Sequence, residues 1–190
     1  MDDRAAVARV RGGDRDAFRV LVERHSREVF RLAFRMMGNE QDADDVVQET
    51  FLRAYRSLDR FEERSQFGTW IYRIAANRCY DMLEKRNRGS EYKVDLAKEE
   101  DEQPLEERVA SDGPTPERML LSKELRGKVQ KVLDELTALE RTAFVMRHFE
   151  GKPMQEIAKA LGVQSSAAKQ SVFRAVRKLR RELEPLRAVR

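Results

Sequence analysis

The spacing of the apolar residues confines this chain to a helical fold. In residues 1–90, apolar side chains recur at every third or fourth position, the period that lines one face of an α-helix. Such faces run through residues 18–36, 46–58 and 70–82, with Asp14, Asn39 and Ser65 as the predicted N-caps. A short helix at about residues 4–11 would precede them. No segment alternates apolar and polar residues as a half-buried strand does, so we expect an all-α fold.

The C-terminal part of the chain shows the same helical period. One apolar face spans residues 125–136. The sequence Thr137-Ala-Leu-Glu140 has the form of a capping box, which predicts the start of the next helix, and Gly151 is predicted to close it. A short helix at residues 154–161, a turn at Gly162-Val163-Gln164 and a last helix at about residues 165–183 complete this block.

The segment between the two blocks has a different composition. Between residues 96 and 117 there are eight acids and only two bases, and three prolines and a glycine interrupt any helix. Such a segment buries too little apolar surface to offset the entropy that it would lose on ordering. We therefore predict a flexible acidic linker at residues 91–118, which joins two small helical domains at residues 1–90 and 119–190.

The composition excludes several classes of protein. Lys and Arg number 38 against 34 Asp and Glu, and the pI near 9.3 favours anionic partners. One cysteine (Cys79) and two distant histidines (His25 and His148) provide no disulfide framework and no structural metal site. No apolar run approaches the roughly 20 residues of a membrane span, and the N-terminus lacks the apolar core of a signal peptide. We expect a cytoplasmic protein without membrane contact, cofactor or enzymatic activity, since no catalytic motif is found.

The C-terminal block contains the pattern of a helix-turn-helix. In Gln155-Glu-Ile-Ala-Lys-Ala-Leu-Gly-Val163, Ala158 allows two helices to cross closely and Gly162 suits a left-handed turn. Residues 141–190 hold twelve bases and four acids, a local excess of +8 that favours DNA. The second helix would enter a major groove, where side chains on its first turns read bases. The candidates for base reading are Ser166, Lys169, Gln170 and Arg174. A basic, solvated helix on an ordinary bundle is the alternative.

The N-terminal block combines an acidic helix face with an aromatic and basic helix. Asp45, Gln48 and Glu49 lie within one turn on one side of the second predicted helix, although a solvated face would look the same. The third helix, from Phe67, places aromatic rings that stack on unpaired bases beside cations that hold a backbone. On this helix Ile71 and Ile74 are assigned to the core, and Asn77 is a candidate to line a pocket. The pattern does not decide between the core and a nucleic-acid contact for Trp70, Tyr72 and Arg73.

Together these motifs resemble the bacterial RNA polymerase sigma factors of the extracytoplasmic-function group of the sigma-70 family. Asp42-Ala-Asp-Asp-Val-Val-Gln-Glu-Thr-Phe51 is similar to the polymerase-binding motif of that family. Phe67-Gly-Thr-Trp-Ile-Tyr-Arg-Ile-Ala-Ala-Asn77 is similar to the helix that reads and melts the −10 promoter element. The helix-turn-helix resembles the domain that reads the −35 element. The resemblance implies sigma region 2 at residues 1–90, sigma region 4 at residues 119–190, and a role in promoter-specific initiation.

The resemblance also implies partners and residue roles. Core RNA polymerase would be bound on the clamp helices of its β′ subunit and on its β flap, and an anti-sigma factor is the expected inhibitor. The polymerase contacts would be Asp45, Gln48, Glu49 and Phe51. The −10 DNA contacts would be Phe61, Trp70, Arg73, Asn77, Arg78 and Lys85. The −35 DNA contacts would be Ser166, Lys169, Gln170, Phe173, Arg174 and Arg177.

The chain departs from the family pattern around the recognition helix. Gln164-Ser-Ser-Ala-Ala168 replaces an entry of the Pro-Val-Gly-Thr-Val type, Ser171 stands where an arginine is common, and Pro153 stands where a capping serine is frequent.

Two other classes of function remain open. One is a helix-turn-helix regulator that binds duplex DNA without being a polymerase subunit. The other is an adaptor whose acidic helix binds a basic partner.

Overall fold

The computed structural model describes residues 1–90 and 127–187, and the regular structure in these ranges is helical throughout. The helices are α1 (Asp3–Arg11), α2 (Ala17–Met37), α3 (Glu40–Arg56), a 3-10 turn (Leu58–Arg60), α4 (Phe67–Ser90), α5 (127–134), α6 (Ala138–His148), α7 (Met154–Leu161) and α8 (Ser165–Arg187). The predicted all-α fold is confirmed. The acidic segment predicted as a linker at residues 91–118 lies outside the described ranges.

Short polar side chains define where the first helices begin. The carboxylate of Asp2 accepts a hydrogen bond from the backbone N–H of Ala5 at 2.7 Å and caps α1. The side chain of Asn39 accepts from the N–H of Asp42 at 2.8 Å and caps α3, as predicted. Helix α2 begins at Ala17, somewhat later than predicted, although the carboxylate of Asp14 still accepts from the N–H of Ala17 at 3.3 Å.

The N-terminal core lies where α2, α3 and α4 pack against one another. Its largest fully buried side chains include Leu21, Leu32 and Met36 of α2, Val46 of α3 and Ile71 of α4. Cys79 of α4 is buried in the same core, and burial raises the pKa of its thiol to about 12. Because the thiolate is the reactive form, this cysteine is chemically inert at neutral pH.

Helices α1 to α4 are called the N-terminal group below, and α5 to α8 the C-terminal group. In the C-terminal group, Glu140 of α6 forms ion pairs with α8. Its carboxylate accepts from the backbone N–H of Thr137 at 3.2 Å, and the Thr137 hydroxyl accepts from the N–H of Glu140, so the predicted capping box is confirmed. The same carboxylate receives Lys178 at 2.7 Å and Arg174 at 3.4 Å from α8. Burial alone would raise the pKa of Glu140, but these hydrogen bonds and cations outweigh it and the pKa is lowered.

The two groups of helices also pack directly against each other. Helix α4 contacts α6 and α7, and α2 contacts α6. Arg35 of α2 forms an ion pair with Glu150 at 2.5 Å, and its guanidinium lies 5.3 Å from the ring centroid of Phe149. The Nζ of Lys152 lies 4.6 Å from the ring centroid of Tyr72 on α4. The buried apolar cluster therefore runs from the N-terminal helices into α6, α7 and α8.

Arg141 of α6 is an unusual buried cation. It is 2% exposed, and it donates to Asp134 at 2.6 Å. Within the described part of the chain its Nε and Nη2 atoms have no hydrogen-bond partner. Burial lowers the pKa of this guanidinium. A buried cation with unpaired donors is destabilising, so this position opposes the apolar packing around it.

Within the described ranges, no helix has the length and apolarity needed to cross a bilayer.

We expect Arg35→Ala to loosen the contact between the two groups of helices. The substitution removes the ion pair with Glu150 and the cation over Phe149, which together contribute about 1 kcal/mol at a partly exposed site. The radius of gyration measured by small-angle X-ray scattering should increase. Arg31→Ala, at an exposed position one turn earlier on α2, is the matched control and should not change it. Equal radii for the two variants would contradict this role of Arg35.

Glu140→Gln should destabilise the C-terminal group and change its response to acid. The lost charge weakens the cap and the contacts with α8, a cost of about 1–3 kcal/mol. Because the folded-state pKa of Glu140 is lowered, its contribution is present above the unfolded pKa and is lost as the pH falls through the folded pKa. Urea midpoints measured between about pH 3 and pH 7 should therefore fall less steeply in acid for this variant. Glu135→Gln, at an exposed position, should match the wild-type profile.

Candidate functional site

The outer face of α3 carries the acidic stripe that the sequence predicts. Asp45 and Gln48 are exposed, and Glu49 is half-buried beside them. The Nε of Arg53, one turn later, donates to Glu49 at 2.7 Å. This hydrogen bond lowers the pKa of the Glu49 carboxyl, so the group is ionised at neutral pH. The stripe therefore presents a carboxylate, an amide and a second, pre-oriented carboxylate on one helix face.

Phe51, predicted as a polymerase contact with this stripe, lies in the core. Its ring is buried and meets Phe18 edge to face, with the ring centroids 6.3 Å apart. The apolar side chains that do reach the surface of α3 are Leu52 and Tyr55, which are 43% and 38% exposed. Leu52 follows Gln48 by four residues and so extends the acidic stripe. Sequence reasoning missed both, although this spacing alone would have identified Leu52.

Three aromatic rings cluster where α4 begins. Phe61 lies 4.9 Å from Trp70 and 5.9 Å from Phe67, measured between ring centroids. Phe61 and Phe67 are buried, whereas Trp70 is half-buried with part of its ring at the surface. His25 of α2 lies behind the cluster, 5.4 Å from the ring of Phe67. The half-buried indole of Trp70 is thus supported by the buried rings of Phe61 and Phe67.

The outer face of α4 continues from Trp70 through Arg73 to Asn77, residues spaced by three and four. Asn77 and Lys85 are exposed, while Arg73 and Arg78 are half-buried. Within the described residues, the Nε atoms of both arginines are buried without a hydrogen-bond partner. Arg78 lies on the α3 side of the helix, where its charge also lowers the pKa of Glu49.

Tyr72, for which the sequence does not decide between the core and a DNA contact, is a core residue. It is almost completely buried, and burial raises the pKa of its hydroxyl well above the usual range. Lys152, from the loop before α7, lies over its ring. Ile71 is fully buried as predicted, and Ile74 is half-buried. Of Trp70, Tyr72 and Arg73, only Trp70 and Arg73 therefore reach the surface.

A cavity of about 400 Å³ lies beside the aromatic cluster. One wall is the loop at residues 60–65 together with Trp70 and Arg73 of α4. The other wall is formed by Lys152, Glu156 and Lys159 of the C-terminal group. No cluster of three His, Cys, Asp or Glu side chains suited to a metal ion occurs in the described ranges. The cavity is thus lined by aromatic faces, guanidinium and ammonium groups, with Glu62, Glu63 and Glu156 among them, and its aromatic and cationic side chains suit a nucleic acid.

Helices α7 and α8 form the predicted helix-turn-helix. Gly162 is left-handed, with φ 64°, and ends α7, while the N–H of Val163 donates to the carbonyl of Ala158 at 3.0 Å. Ile157, Ala158 and Val172 are buried, and Leu161 and Val163 pack against them. Pro153 precedes α7 without a side-chain cap. The turn forms despite this departure because the left-handed glycine and the shared core determine its geometry.

Helix α8 presents a polar face at its N-terminal end. Its exposed side chains include Ser166, Lys169, Gln170, Phe173, Arg174 and Arg177. Phe173 is 69% exposed, although it is apolar and aromatic. Arg174 is drawn toward α6 by Glu140, whereas Lys169 and Gln170 project from the first turns. Ser171 is fully buried, so the departure at this position changes packing and not the exposed face.

Comparison with known proteins identifies the family. Residues 21–89 match the sigma-70 region 2 model, and residues 126–179 match the sigma-70 region 4 model. The ECF RNA polymerase sigma factor SigW of Bacillus subtilis is 31% identical over 95% of this chain and 96% of its own length. The RNA polymerase sigma-H factor of Pseudomonas aeruginosa is 34% identical over 97% of this chain and 95% of its own length.

Solved structures show the same fold. CnrH, determined in complex with the cytosolic domain of CnrY, superposes with a TM-score of 0.62 at 27% identity, covering 96% of this chain and 97% of that one. The sigma factor RpoE in complex with the anti-sigma factor NepR, from Bartonella quintana, has the same fold, with a TM-score of 0.64 at 22% identity over 88% of this chain and 96% of that one. From the two matched regions and the identity along nearly its whole length, the chain belongs to the sigma-70 family of RNA polymerase sigma factors, in the extracytoplasmic-function group.

Proposed function

We propose that this chain binds core RNA polymerase and directs it to specific promoters. The observation that carries the proposal is the pairing, in one chain, of the exposed acidic stripe on α3 with the basic recognition face of α8. A simple duplex-binding regulator needs only the second feature. Each feature falls within one of the two matched sigma regions, which supports a division of labour between them.

The polymerase contact would be made by the stripe on α3. Asp45, Gln48 and Glu49 would dock on the clamp helices of the β′ subunit, with Arg53 holding Glu49 in its ionised form. Leu52 and Tyr55 would add apolar area at the same surface, and Phe51 would support it from the core. A central apolar contact rimmed by charges is the usual composition of a specific protein interface.

The −10 element would be bound as unpaired DNA at the aromatic end of α4. Trp70 offers a ring for stacking, Phe61 supports it, and Asn77 can hydrogen-bond a base edge. Arg73, Arg78 and Lys85 would neutralise phosphates along the same strand. Unpairing a base costs a few kcal/mol, so these contacts would have to supply about that much free energy.

The −35 element would be read as intact duplex by α8. Ser166, Lys169 and Gln170 lie on the turns that meet base edges when a recognition helix enters the major groove. Phe173 would contact the methyl group of a thymine, which is a standard apolar contact in that groove. Arg174 and Arg177 would bind the flanking phosphates, with Glu140 orienting Arg174.

The whole chain would then be organised as region 2 at residues 1–90, an acidic linker at 91–118 and region 4 at 119–190. Region 4 would reach the β flap of the polymerase. The role requires binding and no bond-making group, and it would be carried out in the bacterial cytoplasm, where polymerase and promoter DNA meet. An anti-sigma factor is the proposed inhibitor, in line with the RpoE–NepR complex described above.

Glu49→Ala should abolish association with core polymerase and promoter-selective transcription. The variant removes the carboxylate that Arg53 orients, whereas α8 is untouched, so binding to duplex −35 DNA should persist. The measurement is transcription by purified core polymerase on a genomic promoter library, with and without the protein. Glu23→Ala is the matched control, since Glu23 of α2 is an exposed carboxylate paired with Arg19 at the same 2.7 Å.

Together with a measurement of duplex binding, the same experiment distinguishes the two alternative hypotheses, a regulator outside the polymerase and an adaptor. If Glu49→Ala and the wild type both bind duplex DNA and neither changes transcription by core polymerase, the chain acts as a regulator outside the polymerase. If the wild type shows no salt-dependent affinity for DNA, the adaptor reading is favoured instead, because phosphate neutralisation makes DNA binding depend on salt.

Two substitutions on α8 should have different effects on duplex binding. Gln170→Ala should relax the preference at one base pair, at a cost of about 1–3 kcal/mol for the preferred sequence. Arg177→Ala should weaken binding to all sequences alike and lower the slope of log affinity against log salt by about one. Fluorescence anisotropy on single-base variants of the promoter, at several salt concentrations, measures both. A uniform loss in Gln170→Ala would remove that residue from base reading.

A further inference from the structure

We infer that Arg11 of α1 positions the connection between α3 and α4, and through it the base-binding surface of the −10 site. This connection, residues 57–66, contains Phe61 and forms one wall of the cavity beside Trp70 and Arg73. The inference rests on the proposed function, since it gives a neighbouring helix a part in selecting the unpaired base. It assigns Arg11 a positioning role and no contact with DNA.

The guanidinium of Arg11 makes three contacts with the connection. Nη1 lies 3.0 Å from the carboxylate of Glu63. Nη2 donates to the carbonyl of Leu58 at 2.9 Å and also to the carbonyl of Phe61. The two carbonyls belong to the first residue of the 3-10 turn and to the residue that follows it, so one planar group holds both ends of that turn.

Glu63 adopts a backbone conformation that needs such support. Its φ of 54° is the only positive φ of a non-glycine residue in the described ranges. The left-handed region is strained for an L-residue other than glycine, so it persists where surrounding contacts compensate. Here Arg11 and Arg4, at 3.0 and 3.2 Å, both bind the Glu63 carboxylate, and both belong to α1.

The supported residues lead directly into the aromatic cluster. Two positions before Glu63, the ring of Phe61 turns inward and lies 4.9 Å from Trp70. Because Arg11 binds the Phe61 carbonyl, the main chain that carries this ring is tied to α1. A shift of the connection would therefore move Phe61 relative to Trp70 and change the shape of the cavity wall.

Arg11 is not needed to attach α1 to the rest of the protein. Ala6 and Val7 are fully buried and pack α1 into the core. Asp3 at the other end of the helix binds both Arg24 and His25 of α2. The side chain of Arg11 contacts the 57–66 connection instead, which separates its role from the general stability of α1.

The test compares Arg11→Ala and Arg11→Lys with Arg9→Ala in the reconstituted holoenzyme. Arg9 lies on the same helix but pairs with Asp14, outside the connection, so it is the matched control. Promoters carry 2-aminopurine next to the −10 base that is proposed to bind unpaired beside Trp70, and each of the four bases is placed at that position in turn. Promoter opening is followed by fluorescence, and affinities for core polymerase and for −35 duplex are measured separately.

We expect Arg11→Ala to reduce the preference for the favoured base about tenfold, while both affinities stay within about twofold of the wild type, since the loss corresponds to roughly one set of hydrogen bonds. Arg11→Lys should rescue only part of the preference, because one ammonium group cannot reproduce the fork. A purely structural role would slow opening equally for all four bases. Equal slowing, or an unchanged preference in Arg11→Ala, would overturn the inference.

A second variant keeps the test decisive if Arg11→Ala unfolds. Glu63→Gly accepts the positive φ without strain but removes the carboxylate that α1 binds, so it should also reduce the base preference. An unchanged preference in both Glu63→Gly and Arg11→Lys would overturn the inference, because the two variants together remove the carboxylate contact and the guanidinium fork that binds the two carbonyls. A wild-type protein that fails to bind core polymerase would instead refute the proposed function, and the inference with it.

Discussion

The packing of α4 between the two groups of helices is the constraint on which the rest of the structure depends. Its buried side faces α2 and α3 and also meets α6 and α7, so a single helix contributes to both halves of the core. Small side chains at Ala75 and Ala76 are fully buried and allow this close approach. The opposite side of the same helix carries Trp70, Arg73 and Asn77. The surface proposed to bind unpaired DNA is therefore held by a helix that packs against both groups.

Charged side chains fix the positions of several segments in this protein, which has few aromatic residues. Charged side chains make up 38% of the chain and aromatic ones 7%. Several of the charges pair segments that are distant in the sequence, such as the buried Glu140 with Lys178 and the exposed pair Arg11 and Glu63. Each pair fixes a different element, because Glu140 orients Arg174 of α8 and Arg11 binds the connection between α3 and α4. Such pairs act through geometry more than through net stability, which exposed ion pairs affect little.

The sequence predicted the local features well because they depend on residues close together in the chain. The helical period identified α2, α3 and α4, and the capping box and left-handed Gly162 depend on spacings of a few residues. What it missed depends on distant neighbours. Tyr72 is almost completely buried with Lys152, 80 positions later, over its ring, and Arg174 pairs with Glu140, 34 positions earlier. Phe51 was predicted as a polymerase contact, but its ring packs against Phe18 of α2 and lies in the core.

The contact between Arg35 and the end of α6 has a consequence for affinity. A partner that engages α3 and α8 at a wider separation can bind only molecules in which this contact is broken. Its apparent dissociation constant then equals the intrinsic constant divided by the fraction of open molecules. Each 1.4 kcal/mol by which the closed arrangement is favoured weakens that apparent affinity about tenfold. Arg141 of α6 interacts electrostatically with Arg86 and Cys79 of α4, so separation of the helix groups would return its unpaired donors to water and be favoured by them. The balance between open and closed molecules can therefore be tuned at both Arg35 and Arg141.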